Sequence, residues 1–172
     1  TTPSTPSTPS TPSTPSTPST PAAVATLDFT SKDQRTEYST STQKWEQNGI
    51  TLINNKGSST SNVGDYANPA RFYKSSNVTI SYPGMVKLVF DCTSNSDAKH
   101  TTAMKESLAT VNGATVTIED KIITVALAAA VDSITFTMNN QGRAQTLTVY
   151  TAAEGGETPE PEQPPGTPDP EP

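Results

Sequence analysis

The side chains that could catalyse a reaction are few in this sequence, and they form no recognisable catalytic set. His100 is the only histidine, and its polar surroundings predict a solvated loop residue. Cys92, the only cysteine, alternates with Phe90 along a strand-like segment, which predicts a buried and unreactive thiol. The Glu119-Asp120 dipeptide is explained more simply by turn chemistry than by a pair of glycosidase carboxylates. The sequence therefore predicts that this protein is not an enzyme.

Metal binding has equally little support in the sequence. No group of cysteines and histidines has the spacing of a zinc site. Four aspartates could contribute oxygen ligands to a structural Ca²⁺ ion of the kind that jelly-roll modules hold, but they lack the spacing of a calcium-binding loop. These residues are Asp28, Asp33, Asp65 and Asp132. We predict no cofactor, with a structural Ca²⁺ as the open alternative.

A mixture of aromatic and polar residues is the better candidate for a binding site. Sugars pack their C–H faces on aromatic rings, while amide, guanidinium and hydroxyl groups bond to their hydroxyls. The predicted ligand-binding residues are Trp45, Tyr66, Asn68, Arg71, Tyr73 and Arg143, and the polar loop 54–62 is expected to border them. The alternative for each is a packing role: Trp45 would lie in the core, and Arg71 would tie a loop to the sheet.

Proline and charge divide the chain into three parts. A Thr-Pro-Ser repeat occupies residues 1–21 and a Pro/Glu-rich segment occupies 154–172, and only Pro69 and Pro83 lie between them. All 11 Lys and Arg residues lie in the central part, which is formally neutral, so the net charge of −6 belongs to the C-terminal segment. We predict a disordered linker over 1–23, one domain over 24–151 and a second disordered linker over 152–172.

Charge and hydropathy also exclude several classes of partner. A neutral domain without a basic stripe argues against binding to nucleic acid or to anionic membranes. No stretch approaches the roughly 18 apolar residues of a membrane span, and no signal peptide is recognised. A single cysteine excludes an intrachain disulfide. Together with the linkers, these features predict an extracellular, secreted or cell-surface protein whose domain is a monomer.

Alternation of apolar and polar residues dominates the central part and predicts an all-β fold. Strands are predicted at 25–30, 38–45, 49–54, 70–73, 77–82, 86–92, 114–119, 121–127, 133–138 and 145–150, with turns at 82–84 and 112–113, a hairpin at 119–121 and one helix at 100–108. Short strands with frequent turns and no crossover helices indicate an antiparallel, jelly-roll-like β-sandwich of about eight to nine strands.

The order of motifs resembles that of accessory β-sandwich modules in large secreted proteins of gut bacteria. The motifs that carry the resemblance are Asp28-Phe29-Thr30, Trp45, Asn48-Gly49-Ile50-Thr51, Lys56-Gly57, Ala70-Arg71-Phe72-Tyr73, the strands 78–82 and 85–90, the hairpin 112–117 and the closing Arg143 to Val149. Such modules look like non-catalytic carbohydrate-binding modules that sit between linkers. The resemblance implies a polysaccharide and neighbouring modules of the same polypeptide as partners.

The number of tryptophans indicates which polysaccharide is the more plausible ligand. Cellulose- and xyloglucan-binding modules often present several indoles, whereas this chain has only Trp45. The expected ligand is therefore an α-glucan such as starch, followed by a plant cell-wall glucan. The alternative is a structural or adhesive surface domain, or a protein-docking module, with no sugar site. An exposed Trp45 or Tyr73 would favour sugar binding, and buried aromatic residues would favour the alternative.

Overall fold

Residues 21–153 are described by a computed structural model, and they form ten strands and one α-helix. The strands are β1 (Ala22–Asp28), β2 (Arg35–Tyr38), β3 (Thr42–Gln47), β4 (Ile50–Asn55), β5 (Ala70–Phe72), β6 (Asn77–Asp91), β7 (Ala114–Glu119), β8 (Ile122–Thr137), β9 (Gly142–Ala144) and β10 (Thr146–Thr151), and the helix is α1 (Ala98–Leu108). A 3-10 turn spans Lys32–Gln34. The predicted linkers fall almost entirely outside the described residues.

Two long strands, β6 and β8, organise the main sheet. They pair antiparallel along most of their length, with register shifts between Ser81 and Lys87 of β6. The first half of β6 also pairs with β4, which leads to β3 and β2, and its second half pairs with β10, which leads to β1. β7 extends the sheet beyond β8. Because β1 packs across β3 and β4, the sheet folds back on itself into two facing layers.

The core lies between these layers and is filled by alternate residues of the strands. It includes Trp45, Leu52, Val78 and Ile80 from one layer and Leu27, Leu88, Phe90, Leu147 and Val149 from the other. α1 covers one end through Met104 and Leu108. The helix begins after Asp97, whose carboxylate accepts a hydrogen bond from the Lys99 amide (2.9 Å). The predicted antiparallel sandwich-like fold is confirmed.

The predicted turn at 82–84 is wrong, because these residues form a bend inside β6. Proline has no amide hydrogen to donate to a neighbouring strand, so Pro83 fits within a strand only at an irregularity of this kind. Gly84 adopts a φ of +68°, and its amide donates to the Asp132 carboxylate (2.9 Å). Pairing resumes at Met85 opposite Val131, so the predicted strands 121–127 and 133–138 are likewise one strand, β8.

The structure also differs from prediction at β2 and β3 and at the short strand β9, whereas one predicted hairpin is confirmed. The segment 38–45 is not one strand, because the Ser39 hydroxyl accepts hydrogen bonds from the amides of Ser41 (3.2 Å) and Thr42 (3.0 Å) and closes a turn between β2 and β3. The short strand β9 was not predicted. The predicted hairpin at 119–121 is present, and its residues Asp120 and Lys121 both have positive φ, as the favoured two-residue hairpin turn requires.

Candidate functional site

A small second sheet places two arginines side by side. β5 and β9 pair antiparallel, and Arg71 lies directly opposite Arg143. The residues on either side of each arginine are buried: Ala70, Phe72, Gly142 and Ala144. Since successive side chains of a strand point to opposite faces, both arginines project from the outer face of this sheet.

Two tyrosines adjoin the arginine pair. The guanidinium carbon of Arg71 lies 3.6 Å from the centroid of the Tyr66 ring, and Tyr66 is 42% exposed. Gly64 lies between Tyr66 and Tyr73, because a Cβ at this position would be 3.1 Å from Tyr66 Cδ2 and 3.0 Å from Tyr73 Cε2. Glycine therefore allows the two rings to approach the same stretch of backbone.

The electrostatic environment of Arg143 is unfavourable for a cation. Desolvation lowers the pKa of Arg143, and the neighbouring Arg71 lowers it further, whereas Tyr73, Asp97 and Tyr66 act in the opposite direction. With the amide of Gln141 oriented so that its oxygen faces the guanidinium, that oxygen accepts hydrogen bonds from Arg143 Nε (3.0 Å) and Nη2 (3.1 Å). The arginine is thus held in place by a neutral group.

An open polar cleft lies beside Tyr73 and has a volume of about 410 Å³. Its walls are residues 58–61 of the loop between β4 and β5, residues 73–75 after β5, and Asn140 and Gln141 before β9. Hydroxyl and amide groups dominate this lining, and it contains one charged residue, Lys74, and no carboxylate. The cleft can therefore exchange hydrogen bonds with a hydroxylated ligand, but its lining offers no carboxylic acid to transfer a proton.

Hydrogen bonds fix both walls of this cleft. In the loop, the Ser59 amide donates to the Lys56 carbonyl (3.0 Å), and the Val63 amide donates to the Thr40 carbonyl (2.9 Å). On the opposite side, the Ser76 hydroxyl donates to the Tyr73 carbonyl (2.7 Å). The polar loop expected to border the site does lie against Tyr73, and these bonds shape the cleft before any ligand arrives.

Two buried amide side chains lie close to the cleft. Gln43 of β3 is directly opposite Asn54 of β4, and they are 0% and 1% exposed. Among the described residues, neither amide group has a hydrogen-bond partner. A narrow gap lies beside Asn54 and is too small for a water molecule. Ser59, Ser61 and Tyr73 line both this gap and the cleft. These amides therefore combine complete burial with unmet hydrogen-bonding capacity.

Trp45 does not belong to this site. Its side chain is fully buried, and its ring meets Phe29 edge to face with centroids 5.2 Å apart. The prediction that Trp45 contacts a ligand is therefore wrong and its alternative, a place in the core, is correct, because β3 directs Trp45 inward together with Gln43. Asn68 is exposed and precedes a cis peptide bond to Pro69, and its role as a ligand contact stays a prediction.

Four of the six predicted ligand-binding residues therefore come together: Tyr66, Arg71, Tyr73 and Arg143. The contributions of Asn140 and Gln141 were missed. The polar run Asn139-Asn140-Gln141 just before Arg143 was a usable signal, because it indicates a surface turn next to a predicted ligand contact.

His100 and three of the four candidate calcium ligands, Asp28, Asp65 and Asp132, make other contacts. His100 is buried in α1 with Nδ1 3.1 Å from the Gln141 carbonyl, so its prediction as a solvated loop residue is wrong. The Asp28 carboxylate accepts from the Thr30 amide (2.7 Å), and Asp65 pairs with Lys32 and Arg35. Between residues 21 and 153, no group of three or more His, Cys, Asp or Glu side chains could hold a metal ion. The same part of the chain has no helix long and apolar enough to cross a bilayer.

Cys92 is expected to resist thiol reagents while the domain is folded. Burial, with a smaller contribution from Asp91, raises the pKa of its thiol to about 12, so very little thiolate exists near neutral pH. The measurement is the reaction with a chromogenic disulfide reagent at about pH 8, with and without guanidinium chloride. We expect colour only in denaturant. Rapid reaction of the folded protein would show that Cys92 is accessible.

No known protein family matches this chain, and no curated protein or solved structure is significantly similar to it.

Proposed function

We propose that this domain is a non-catalytic carbohydrate-binding module that tethers a secreted or cell-surface protein to a polysaccharide. The observation that carries the proposal is the preformed polar cleft beside Tyr73, with the exposed ring of Tyr66 near it. Its volume lies within the range of about 300–1,000 Å³ that is usual for sites of small ligands. Its hydroxyl and amide lining suits the hydroxyls of sugars, and Tyr73 offers the apolar surface on which a sugar ring can pack.

Tethering requires only modest affinity at each site. Linkers that join this domain to neighbouring modules would raise the effective concentration of those modules along the same polysaccharide. The preference for an α-glucan such as starch, and then for a plant cell-wall glucan, stays a prediction that this cleft does not decide.

A structural or adhesive domain without a sugar site is the second candidate. Trp45 is buried, and the guanidinium of Arg71 occupies one face of the Tyr66 ring, which reduces the aromatic surface open to a sugar. The two candidates differ in one measurable property, which is retention by a polysaccharide.

Affinity electrophoresis tests the proposal directly. The protein is run through native gels that each contain starch, xyloglucan, mixed-linkage glucan, mannan, xylan or pectin. We expect retardation in at least one gel relative to a gel without polysaccharide. Unchanged mobility in all six would reject the binding module and favour the structural or adhesive domain.

Replacing Tyr73 with alanine is expected to weaken retention about tenfold, a loss of about 1.4 kcal/mol in binding free energy. The ring lines both the cleft and the adjoining gap, so its removal takes away the apolar surface there. The measurement is the dissociation constant from mobility against polysaccharide concentration.

Tyr150 provides the matched control for this substitution. It is half-buried on β10, where its ring lies 3.8 Å from the Lys87 ammonium group, and it does not line the cleft. Tyr150→Ala should retain binding, with the melting temperature of both variants recorded. Equal retention of wild type and Tyr73→Ala would exclude the cleft as the binding site.

A further inference from the structure

The arginine pair of the small sheet forms no salt bridge within the described residues, whereas four of the nine other Lys and Arg side chains do. Within residues 21–153, neither Arg71 nor Arg143 has a carboxylate oxygen within 4 Å. The Nε group of Arg71 is also buried without a hydrogen-bond partner. In contrast, salt bridges hold Lys32, Arg35, Lys44 and Lys99. Like charges directly opposite in a sheet are destabilising, so the pairing of the two arginines is electrostatically unfavourable to the fold.

The carboxylates near this face form salt bridges with other cations. Asp65, which precedes Tyr66 in the chain, is 2.8 Å from Lys32 Nζ and 2.6 Å from Arg35 Nη2. Asp97, whose charge acts on Arg143, pairs with Lys99 Nζ at 2.9 Å. Considering residues 21–153 alone, the arginine pair therefore keeps an uncompensated positive charge despite the acidic residues near it.

Two lysines extend this positive charge towards the polar cleft. Lys74 is exposed and lines the cleft itself. Lys56 lines the adjoining gap, where its ammonium group donates to the Asn62 amide oxygen at 3.3 Å. The cleft and the two arginines thus form one region in which, counting only the part of the chain that the structure describes, cations outnumber unpaired carboxylates, although the domain as a whole is formally neutral.

Both guanidinium groups are positioned before any ligand arrives. Arg71 lies over the Tyr66 ring, which restricts its orientation by a cation–π contact. Arg143 is oriented by the Gln141 oxygen and lies opposite Arg71 across the two strands. Guanidinium groups bind carboxylates through two parallel hydrogen bonds, and a preset orientation reduces the entropy lost on binding.

We propose that Arg71 and Arg143 bind the carboxylate groups of an acidic polysaccharide, one that contains uronic acid units, while the adjacent cleft binds the hydroxyls of the neighbouring sugar. This inference rests on the proposed carbohydrate-binding function and places uronic acid polymers ahead of starch as the ligand. A polysaccharide is favoured over nucleic acid because the positive region is short and the cleft beside it is lined by hydroxyls and amides.

The test compares polygalacturonate with the same polymer after chemical reduction of its carboxyl groups to neutral alcohols. Dissociation constants are measured by affinity electrophoresis for wild type and for the double variant Arg71→Gln/Arg143→Gln. We expect wild type to bind the acidic polymer at least about tenfold more tightly than the reduced one. The double variant should lose this difference.

Lys87→Gln is the matched control for a single arginine substitution, because it removes one positive charge beside a tyrosine, Tyr150, but away from the cleft. It should keep the preference for the acidic polymer. The single variant Arg143→Gln covers the case in which the double variant does not fold. Removing one of two facing like charges should leave its melting temperature unchanged or higher. It should nevertheless weaken binding of polygalacturonate about tenfold.

Three outcomes would overturn the inference. In the first, the wild type binds the acidic and the reduced polymer equally, and the arginine substitutions change neither affinity. This result would reject the carboxylate site but not the carbohydrate-binding function. No binding to either polymer or to any neutral polysaccharide would reject both. Displacement of polygalacturonate by much lower concentrations of DNA would identify the pair as a phosphate site instead.

Discussion

Replacing Trp45 with alanine should lower the free energy of unfolding by about 3–5 kcal/mol. Its indole is the largest side chain in the core, and it packs edge to face on Phe29, which packs in turn on Phe72. Since small domains are stable by only about 5–15 kcal/mol, this loss removes much of the stability. The measurement is urea denaturation followed by circular dichroism, because the variant lacks the only tryptophan whose fluorescence could report unfolding.

The wild-type protein offers an independent check on the same assignment. As the sole tryptophan, Trp45 should emit at a short wavelength and resist quenching by acrylamide until the domain unfolds. Tyr66→Ala is the matched control, because this exposed ring should change stability by no more than about 1 kcal/mol. A red-shifted and readily quenched emission, or a Trp45→Ala variant as stable as wild type, would mean that the indole lies at the surface.

The error over Trp45 has a specific cause in the sequence. Within β3, the residue that shares its face two positions earlier is Gln43, a polar residue. Both faces of the strand therefore look hydrophilic, and alternation cannot show which one is buried. Only the pairing with β4, which sets Trp45 opposite Leu52, identifies the inward face.

The strand assignments that succeeded are those in which local pattern and tertiary pairing agree. The segment 114–119 alternates clearly and is followed by the polar dipeptide Asp120-Lys121, and β7 has those boundaries. The bend at Pro83-Gly84 could not be inferred, because these residues also favour an ordinary turn. The two halves of β6 form one strand because both pair with β8, which lies some forty residues later in the chain.

The candidate site was partly predictable for the same reason. Tyr66, Arg71 and Tyr73 are close in sequence, so their common neighbourhood follows from one segment. Arg143 is brought to Arg71 only by the pairing of β5 with β9, and a three-residue strand such as β9 is too short to show periodicity. The like-charged pair, and with it the reason to expect an acidic ligand, emerges only from that pairing.

Asn54→Leu and Gln43→Met should each raise the free energy of unfolding by about 1–3 kcal/mol. Both amides are buried with no hydrogen-bond partner anywhere between residues 21 and 153, and the gap beside Asn54 has no room for a water molecule. An unsatisfied buried amide costs about this much, and each replacement is apolar and similar in shape. The increments in the double variant need not add, because the two side chains are opposite each other. Urea denaturation of all three variants measures the effect.

Gln145→Met is the control, because its amide oxygen is satisfied. It accepts hydrogen bonds from the Thr93 hydroxyl (3.2 Å) and from the Ser94 amide, so this substitution should lower stability by about 1 kcal/mol. If Asn54→Leu were also destabilising, the Asn54 amide would have a hydrogen-bond partner in solution.

Asn54 and Tyr73 line the same gap, so polysaccharide retention by the stabilised Asn54→Leu variant tests whether Asn54 contributes to binding. Lost retention with gained stability would show that this buried amide serves binding at the expense of the fold.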